Sequence, residues 1–154
     1  MSDGQLTDQW KSLGAQYLPL LHAAEDKYAL PRDLLARIAF QESHFRPGII
    51  SGAIKSPVGA VGIMQLMPQF FPGAGADPAK DIDTAGRFLA KLYERFKDWQ
   101  VAVAAYNWGQ GNVHHEGVRD GDFVLADMPT ETQNYVKQVF GDVPLMGALL
   151  HARA

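Results

Sequence analysis

Glutamate is scarce in this chain of 154 residues, and one of its five glutamates stands apart from the others. Glu42 follows Leu35 by seven positions and Ile38 by four, so on a helix its carboxylate would lie on the apolar stripe. It also lies at the predicted carboxyl end of that helix, where the macrodipole disfavours an ionised acid. Burial acts in the same direction, and together they predict a raised pKa for Glu42. A general acid needs that property, although a structural ion pair with Arg46 also explains the position.

Other combinations of reactive side chains are poorly supported. His114, His115 and Glu116 are adjacent, but they lack the i, i+4 histidine spacing of a helical zinc site and an evident third ligand. The chain has no cysteine, which excludes thiol nucleophiles and disulfides. Gly59 and Gly62 do not belong to a phosphate-binding motif. We therefore predict no metal site and no cofactor.

Four blocks of residues follow one another along the chain in a recognisable order. They are Glu42-Ser43-His44-Phe45, then Ser56 to Pro68 with the run Gly59-Ala60-Val61-Gly62-Ile63-Met64-Gln65, then Ala104-Ala105-Tyr106-Asn107 with Gly109 and Gly111, and last Glu131-Thr132-Gln133-Asn134-Tyr135-Val136. On these blocks the chain resembles the soluble lytic transglycosylase (SLT) family, which has a goose-type lysozyme-like fold and cleaves bacterial cell-wall glycan. The resemblance covers about residues 30–140 and depends on all four blocks, since any one alone is weakly specific.

The resemblance implies roles for individual residues. Glu42 matches the family's single catalytic acid/base. It is expected to protonate the β-1,4 glycosidic oxygen between N-acetylmuramic acid and N-acetylglucosamine, and then to take a proton from the C6 hydroxyl, which closes a 1,6-anhydro ring. The residues that match substrate-binding positions of the family are Ser56, Gln65, Met67, Tyr106, Asn107, Glu131 and Tyr135. Trp108 stands where small residues are usual, and sugar stacking and hydrophobic filling both explain an indole there.

The number of carboxylates separates the possible reactions. Ordinary glycosidases place two carboxylates on opposite sides of the scissile bond, whereas the implied reaction needs one. No Asp or Glu lies between Glu42 and Asp77, which agrees with a single acid. A muramidase on the same fold is an alternative, and it would need a positioned water or a second carboxylate from a distant loop such as residues 117–129. A non-catalytic wall-binding or virion structural module is a further alternative, against which the intact Glu42 motif argues.

Helices are predicted to position these residues. Hydrophobic spacing and start signals predict helices at Trp10–Lys27 with a break near Pro19, from Pro31 to Ser43, at Met64–Met67, from Asp83 or Thr84 to Phe96, at Trp99–Asn107, at Thr130–Phe140 with Thr130 as its cap, and from Pro144 onward. Residues 44–62 are rich in glycine and proline, which predicts a loop or small hairpin, and residues 117–129 a further loop. The predicted fold class is mainly α, with the lysozyme-like fold of the SLT family in one catalytic domain over residues 1–154.

Composition limits the class of protein and its partners. A hydrophobic fraction of 47% and a net charge of −3 are typical of a globular chain and argue against nucleic acid as the main partner. No apolar run approaches the roughly 20 residues that span a bilayer. We expect a monomer that binds peptidoglycan glycan strands. The first residues lack the pattern of a signal peptide, so we expect synthesis in the cytoplasm. Delivery to the cell wall or periplasm is then expected by a holin or a virion, as for phage lysins, or alternatively by a secretion system.

Overall fold

The computed structural model of the chain describes residues 9–109 and 128–142. Within these ranges it has the helices α1 (Leu18–Lys27), α2 (Leu34–Ser43), α3 (Pro47–Ile50), α4 (Pro78–Phe96), α5 (Trp99–Trp108) and α6 (Thr130–Gly141). Residues 9–13 are helical as well. The described residues contain no strand, and one isolated antiparallel bridge joins Val61 to Leu66. The predicted mainly α fold class is therefore confirmed.

The chain divides into two compact units, residues 1–86 and 87–154, so that α4 starts in the first unit and ends in the second. The domain boundaries predicted above, a single domain over residues 1–154, stay a prediction. None of the described helices combines the length and the apolar character that crossing a lipid bilayer requires.

In the first unit, the helix predicted from Trp10 to Lys27 is interrupted near Pro19, as expected. Residues 14–17 form a turn, and α1 begins at Leu18 with Pro19 in its first turn, where the missing N–H breaks no helical hydrogen bond. From this turn α1 continues along α2 and packs against it. A Cβ at Gly14 would overlap the ring of Phe45, so close packing explains the glycine.

A side chain from α1 closes the amino end of α2. Asp33, which precedes α2, is left-handed (φ 71°) and provides no side-chain cap. Glu25 of α1 replaces that cap, because its two carboxylate oxygens accept from the N–H groups of Asp33 at 2.9 Å and Ala36 at 3.1 Å. Glu25 is fully buried, and desolvation raises its pKa although the two N–H donors act against the shift.

The stripe predicted on α2 is confirmed, and the helix ends at Ser43 as predicted. Leu35, Ile38 and Ala39 have no exposed surface. Burial also includes Leu34 and Ala36 on other faces of the helix. The first two turns of α2 are thus enclosed by protein, and this packing fixes the direction of the helix axis and the position of its carboxyl end.

Residues 44–77 are mostly loop, as predicted for residues 44–62, but they include the helix α3, which was not predicted, and the short helix predicted at Met64–Met67 is wrong. Val61 and Leu66 exchange two backbone hydrogen bonds of 3.0 Å, and the residues between them form a tight turn. Gln65 is left-handed there (φ 51°), and its backbone and side-chain N–H groups both donate to the carbonyl of Gly62. These local bonds outweigh the helix propensity of the segment.

A buried carboxylate on α4 anchors this loop. Both oxygens of Asp81 accept from the N–H of Gly75, at 3.1 and 3.0 Å. Gly62 packs against the same carboxylate, where a Cβ would overlap it, and its φ of 81° also favours glycine. Desolvation raises the pKa of Asp81. The motif glycine at position 62 is therefore needed for the fold of the loop.

The start of α4 differs from the prediction. The helix begins at Pro78, and the carboxylate of Asp77 accepts from the N–H of Ala79 at 3.0 Å. Asp83 and Thr84, predicted as alternative caps, both lie inside the helix, and Asp83 accepts from Lys27 at 2.8 Å instead. The predicted apolar stripe of the helix is buried at Ala85, Leu89 and Leu92.

In the second unit, α5 and α6 pack against each other. As predicted, α5 is buried over several successive residues, Val101 to Ala105. The carboxylate of Asp98 caps α5 and accepts from the N–H of Gln100 at 2.8 Å. The last turn of α5, which carries most of the third motif block, therefore continues directly from a buried and closely packed part of the helix.

The cap predicted for α6 is wrong, although the helix itself is confirmed. Thr130 is the first helical residue, Pro129 precedes it without a side-chain cap, and Gln133 donates to the carbonyl of Met128 at 2.7 Å. Proline fixes φ near the value that a helix start needs, so the chain enters α6 without a capping side chain. The helix predicted from Pro144 and most of the loop predicted at 117–129 lie outside the described residues.

Candidate active site

Glu42 is the penultimate residue of α2 and is half-buried. The turn that follows it is strained, because His44 and Phe45 both have positive φ angles, 52° and 55°. This left-handed conformation costs a residue other than glycine about 1–2 kcal/mol. Such strain concentrates at functional sites, where the surrounding structure must compensate for it.

The buried hydroxyl of Ser43 supports the strained turn. Its Oγ donates to the carbonyl of Ala39 at 2.9 Å and accepts from the N–H of Phe45 at 3.2 Å. Ser43 has no exposed surface, so water does not compete for either bond. The residue next to Glu42 thus ties the last turn of α2 to the chain that leaves it.

Aromatic packing fixes the same turn. The ring of Phe45 is 7% exposed, stacks on Tyr17 with 6.3 Å between ring centroids and lies 5.8 Å from Phe40. The ring of His44 lies 4.8 Å from Phe40. Partial burial lowers the pKa of His44, and two nearby guanidinium groups act in the same direction. A neutral imidazole therefore lies two residues from Glu42 at neutral pH.

Three predicted binding residues lie on the loop of the first unit. The hydroxyl of Ser56 accepts from the N–H of Ala60 at 2.9 Å and donates to no group among the described residues. The carboxamide of Gln65 donates to the turn carbonyl, and Met67 is half-buried. The hydroxyl proton of Ser56 thus has no acceptor among the described residues, whereas Gln65 has a structural bond of its own. The grouping of these residues around Glu42 stays a prediction.

Six acids besides Glu42 lie in residues 9–86, and each has a structural partner. Three of them accept backbone N–H groups, namely Glu25, Asp77 and Asp81. The other three pair with basic side chains, Asp26 with Arg32 at 2.6 Å, Asp33 with His22 at 2.8 Å and Asp83 with Lys27 at 2.8 Å. None of the six lies between residues 43 and 76. In this part of the chain, the other carboxylates are thus engaged in holding the fold.

One cluster has the spacing of a metal site. His22, Glu25 and Asp33 place ligand atoms within 4.8 Å of one another. Existing bonds account for the cluster, because His22 pairs with Asp33 and Glu25 closes the start of α2. Lys11 lies 3.6 Å from Asp33 and adds a positive charge beside the group. We assign these residues a structural role.

A cavity of about 210 Å³ in the first unit contains none of the predicted site residues. Its lining consists of Leu66, Phe70, Phe71, Pro72, Ala74, Lys80, Asp81 and Thr84. The walls are largely apolar, and the carboxylate of Asp81 is already bonded to Gly75. The cavity therefore offers no group suited to glycosidic bond cleavage.

In the second unit, Tyr106, Asn107 and Trp108 form the last turn of α5, and all three are half-buried. The ring of Tyr106 lies 5.7 Å from that of Phe88. The side-chain oxygen of Asn107 accepts from the hydroxyl of Thr132 at 2.9 Å. Half-burial of Trp108 agrees with sugar stacking and with hydrophobic filling, so both interpretations stay open.

The fourth motif block forms the start of α6. Glu131 is exposed, whereas Tyr135, one turn later, is 6% exposed. Thr132 is buried between them and was not predicted as a site residue. Its hydrogen bond brings the fourth block together with Asn107 of the third block. The one sequence signal for Thr132 is its place inside the fourth block, because a threonine in a first helical turn is otherwise ordinary.

Comparisons with known proteins give the family that the motif blocks predict. The profile of the family described as Transglycosylase SLT domain matches residues 19–124. The soluble lytic murein transglycosylase of Escherichia coli (strain K12) is 33% identical over 71% of this chain and 20% of its own length. The membrane-bound lytic murein transglycosylase C of Histophilus somni (strain 2336) is 29% identical over 81% of this chain and 39% of its own length. The chain thus spans well under half of these relatives.

Solved structures give the same family. The complex of the 70-kDa soluble lytic transglycosylase with bulgecin A matches 90% of this chain and 25% of that one, with a TM-score of 0.68 and 29% identity. The 70-kDa enzyme from Escherichia coli matches 93% of this chain and 26% of that one, with a TM-score of 0.59 and 26% identity. The fold is therefore that of about a quarter of the lytic transglycosylase chain. Since the family profile covers more than half of the residues, the chain belongs to the Transglycosylase SLT domain family.

Proposed function

We propose that this domain is a peptidoglycan lytic transglycosylase with Glu42 as its catalytic acid and base. Family membership and the names of the relatives support the reaction class. The observation that carries the proposal is the position of Glu42, half-buried at the end of α2 beside a strained turn that Ser43 holds. The structural bonds of the other described acids in the first unit support a mechanism with one carboxylate.

The proposed reaction consumes no water, and it returns the catalytic acid to its starting protonation state. Glu42 donates a proton to the oxygen of the β-1,4 bond between N-acetylmuramic acid and N-acetylglucosamine as the bond from the muramic C1 breaks. The resulting carboxylate then accepts the proton of the muramic C6 hydroxyl, and the C6 oxygen bonds to C1. The products are a free N-acetylglucosamine hydroxyl and a 1,6-anhydromuramic end, and Glu42 regains its proton.

The remaining candidate residues are proposed to bind the glycan. They are Ser56, Gln65, Met67, Tyr106, Asn107, Trp108, Glu131 and Tyr135. The hydroxyl proton of Ser56, which has no acceptor among the described residues, supports a ligand contact there. The proposed place of action is the cell wall, and the proposed partner is the peptidoglycan glycan strand.

The test is mass spectrometry of the fragments that the protein releases from purified peptidoglycan. The expected fragments are muropeptides with 1,6-anhydromuramic ends, which are lighter by one water than the products of hydrolysis. Reducing ends would reject the transglycosylase reaction in favour of a muramidase. The absence of any fragment would favour a wall-binding module.

Glu42→Gln tests the assignment of the acid. An amide cannot donate the proton, so we expect product formation to fall at least about a hundredfold with the fold intact by circular dichroism. Glu94→Gln is the matched control, because Glu94 is exposed on α4, and it is expected to keep the activity of the natural sequence. Appreciable activity in Glu42→Gln would exclude Glu42 as the acid.

A further inference from the structure

A hydrogen bond of 2.9 Å joins the side chains of Asn107 and Thr132. Asn107 lies in the last turn of α5 and is half-buried, whereas Thr132 lies in the first turn of α6 and is 1% exposed. A carboxamide can present either its oxygen or its amino group, and the two orientations have nearly the same shape. The partner at one end therefore decides which group is presented at the other.

The hydroxyl proton of Thr132 determines the orientation of Asn107. A buried hydroxyl must donate its proton, because a buried donor without an acceptor costs about 1–3 kcal/mol. In residues 9–109 and 128–142, the side chain of Thr132 has no hydrogen-bond partner other than Asn107. If the carboxamide were reversed, its amino group would face the threonine oxygen and the hydroxyl proton would lose its acceptor. The oxygen of Asn107 must therefore face Thr132.

We propose that Thr132 is a positioning residue that fixes Asn107 as a hydrogen-bond donor to the glycan. This inference rests on the proposed function. With the oxygen engaged by Thr132, the Nδ2 amino group is the end that Asn107 keeps for a ligand. Amino groups of this kind recognise acceptor oxygens, which in this substrate class are N-acetyl carbonyl and hydroxyl oxygens.

Thr132→Val removes the hydroxyl and keeps the shape of the side chain. The carboxamide then loses the bond that orients it and presents its amino group only part of the time, so we expect KM for soluble glycan oligomers to rise about twofold, with a smaller change in kcat. Thr132→Ser keeps the hydroxyl and is expected to retain the KM of the natural sequence. Thr130→Val is the matched control, because Thr130 is exposed in the same helical turn. An unchanged KM in Thr132→Val would overturn the inference.

Two variants at Asn107 separate positioning from general stability. Asn107→Asp can still accept from Thr132 but has no amino group, so the proposal predicts a raised KM for this variant. In an Asn107→Ala background, Thr132→Val is expected to leave KM unchanged, since there is no carboxamide to orient, and not to lower Tm, since the hydroxyl that it removes has already lost its acceptor. The same KM increase in both backgrounds would overturn the inference. Absence of 1,6-anhydro products from the natural sequence would instead reject the proposed function, and this inference with it.

Discussion

Replacement of Ser43 by alanine tests how the strained turn after Glu42 is held. The variant loses the bond to the carbonyl of Ala39 at 2.9 Å and leaves the N–H of buried Phe45 without its acceptor at 3.2 Å. A buried unsatisfied donor costs about 1–3 kcal/mol. The carbonyl of Ala39 remains in the helical ladder, and alanine's higher helix propensity recovers about 0.5 kcal/mol. We expect the free energy of unfolding to fall by about 2 kcal/mol.

Ser51→Ala is the matched control for this measurement. The hydroxyl of Ser51 also donates to a carbonyl three residues back, at 3.2 Å, and accepts from an N–H two residues on, at 3.3 Å, but it is exposed. Water replaces both bonds, so the expected loss is below about 0.5 kcal/mol. Urea denaturation measures the free energy of unfolding of both variants, from the midpoint urea concentration of each transition at an unchanged m-value. Equal losses in the two variants would refute the role assigned to Ser43.

Two further predictions concern the loop and the buried acids of the first unit. Gly62→Ala is expected to lower the free energy of unfolding by more than about 2 kcal/mol, because the φ of 81° and the nearby carboxylate of Asp81 both oppose a Cβ. Gly59→Ala is the matched control, because its Cβ would meet open space at a similar φ of 93°, and the expected loss is about 1 kcal/mol. Thermal unfolding compares the two, and equal losses would contradict the close packing on Asp81. Because the pKa of Glu25 is raised in the native state, the native state binds more protons than the unfolded chain above about pH 4.5. The contribution of Glu25 to the free energy of unfolding therefore falls as pH rises from about 4.5 toward the native pKa. Glu25→Gln should therefore flatten the fall in stability as pH rises above about 4.5, measured by urea denaturation at several pH values, and an unchanged slope would argue against it.

Periodic burial could be predicted from the sequence because it depends on nearest neighbours along a helix. The stripe of Leu35 and Ile38 and the fully apolar run of α5 contain their own signal, and the structure confirms both. The start of α4 was missed because Asp83 has the chemistry of a cap, while its real partner, Lys27, lies far away in the sequence. Local patterns cannot distinguish a cap from a distant ion pair.

Side chains that act across the fold had no sequence signal. Glu25 gave no pattern of its own, yet it closes the start of the helix that carries Glu42. Thr132 was likewise indistinguishable from any threonine in a first helical turn until its bond to Asn107 was seen. Both are buried polar groups whose partners are brought near by helix packing, which sequence spacing alone does not encode.

The capping of α2 by Glu25 has a consequence for the smallest fragment that retains the candidate acid. A fragment starting at residue 30, where the motif resemblance begins, would keep all four blocks but would lose α1. The N–H groups of Asp33 and Ala36 would then lack their carboxylate partner, and the apolar surface between α1 and α2 would be exposed to water. The helix that presents Glu42 and the helix before it therefore form one inseparable building block, and any transplant of this acid into another scaffold has to carry both.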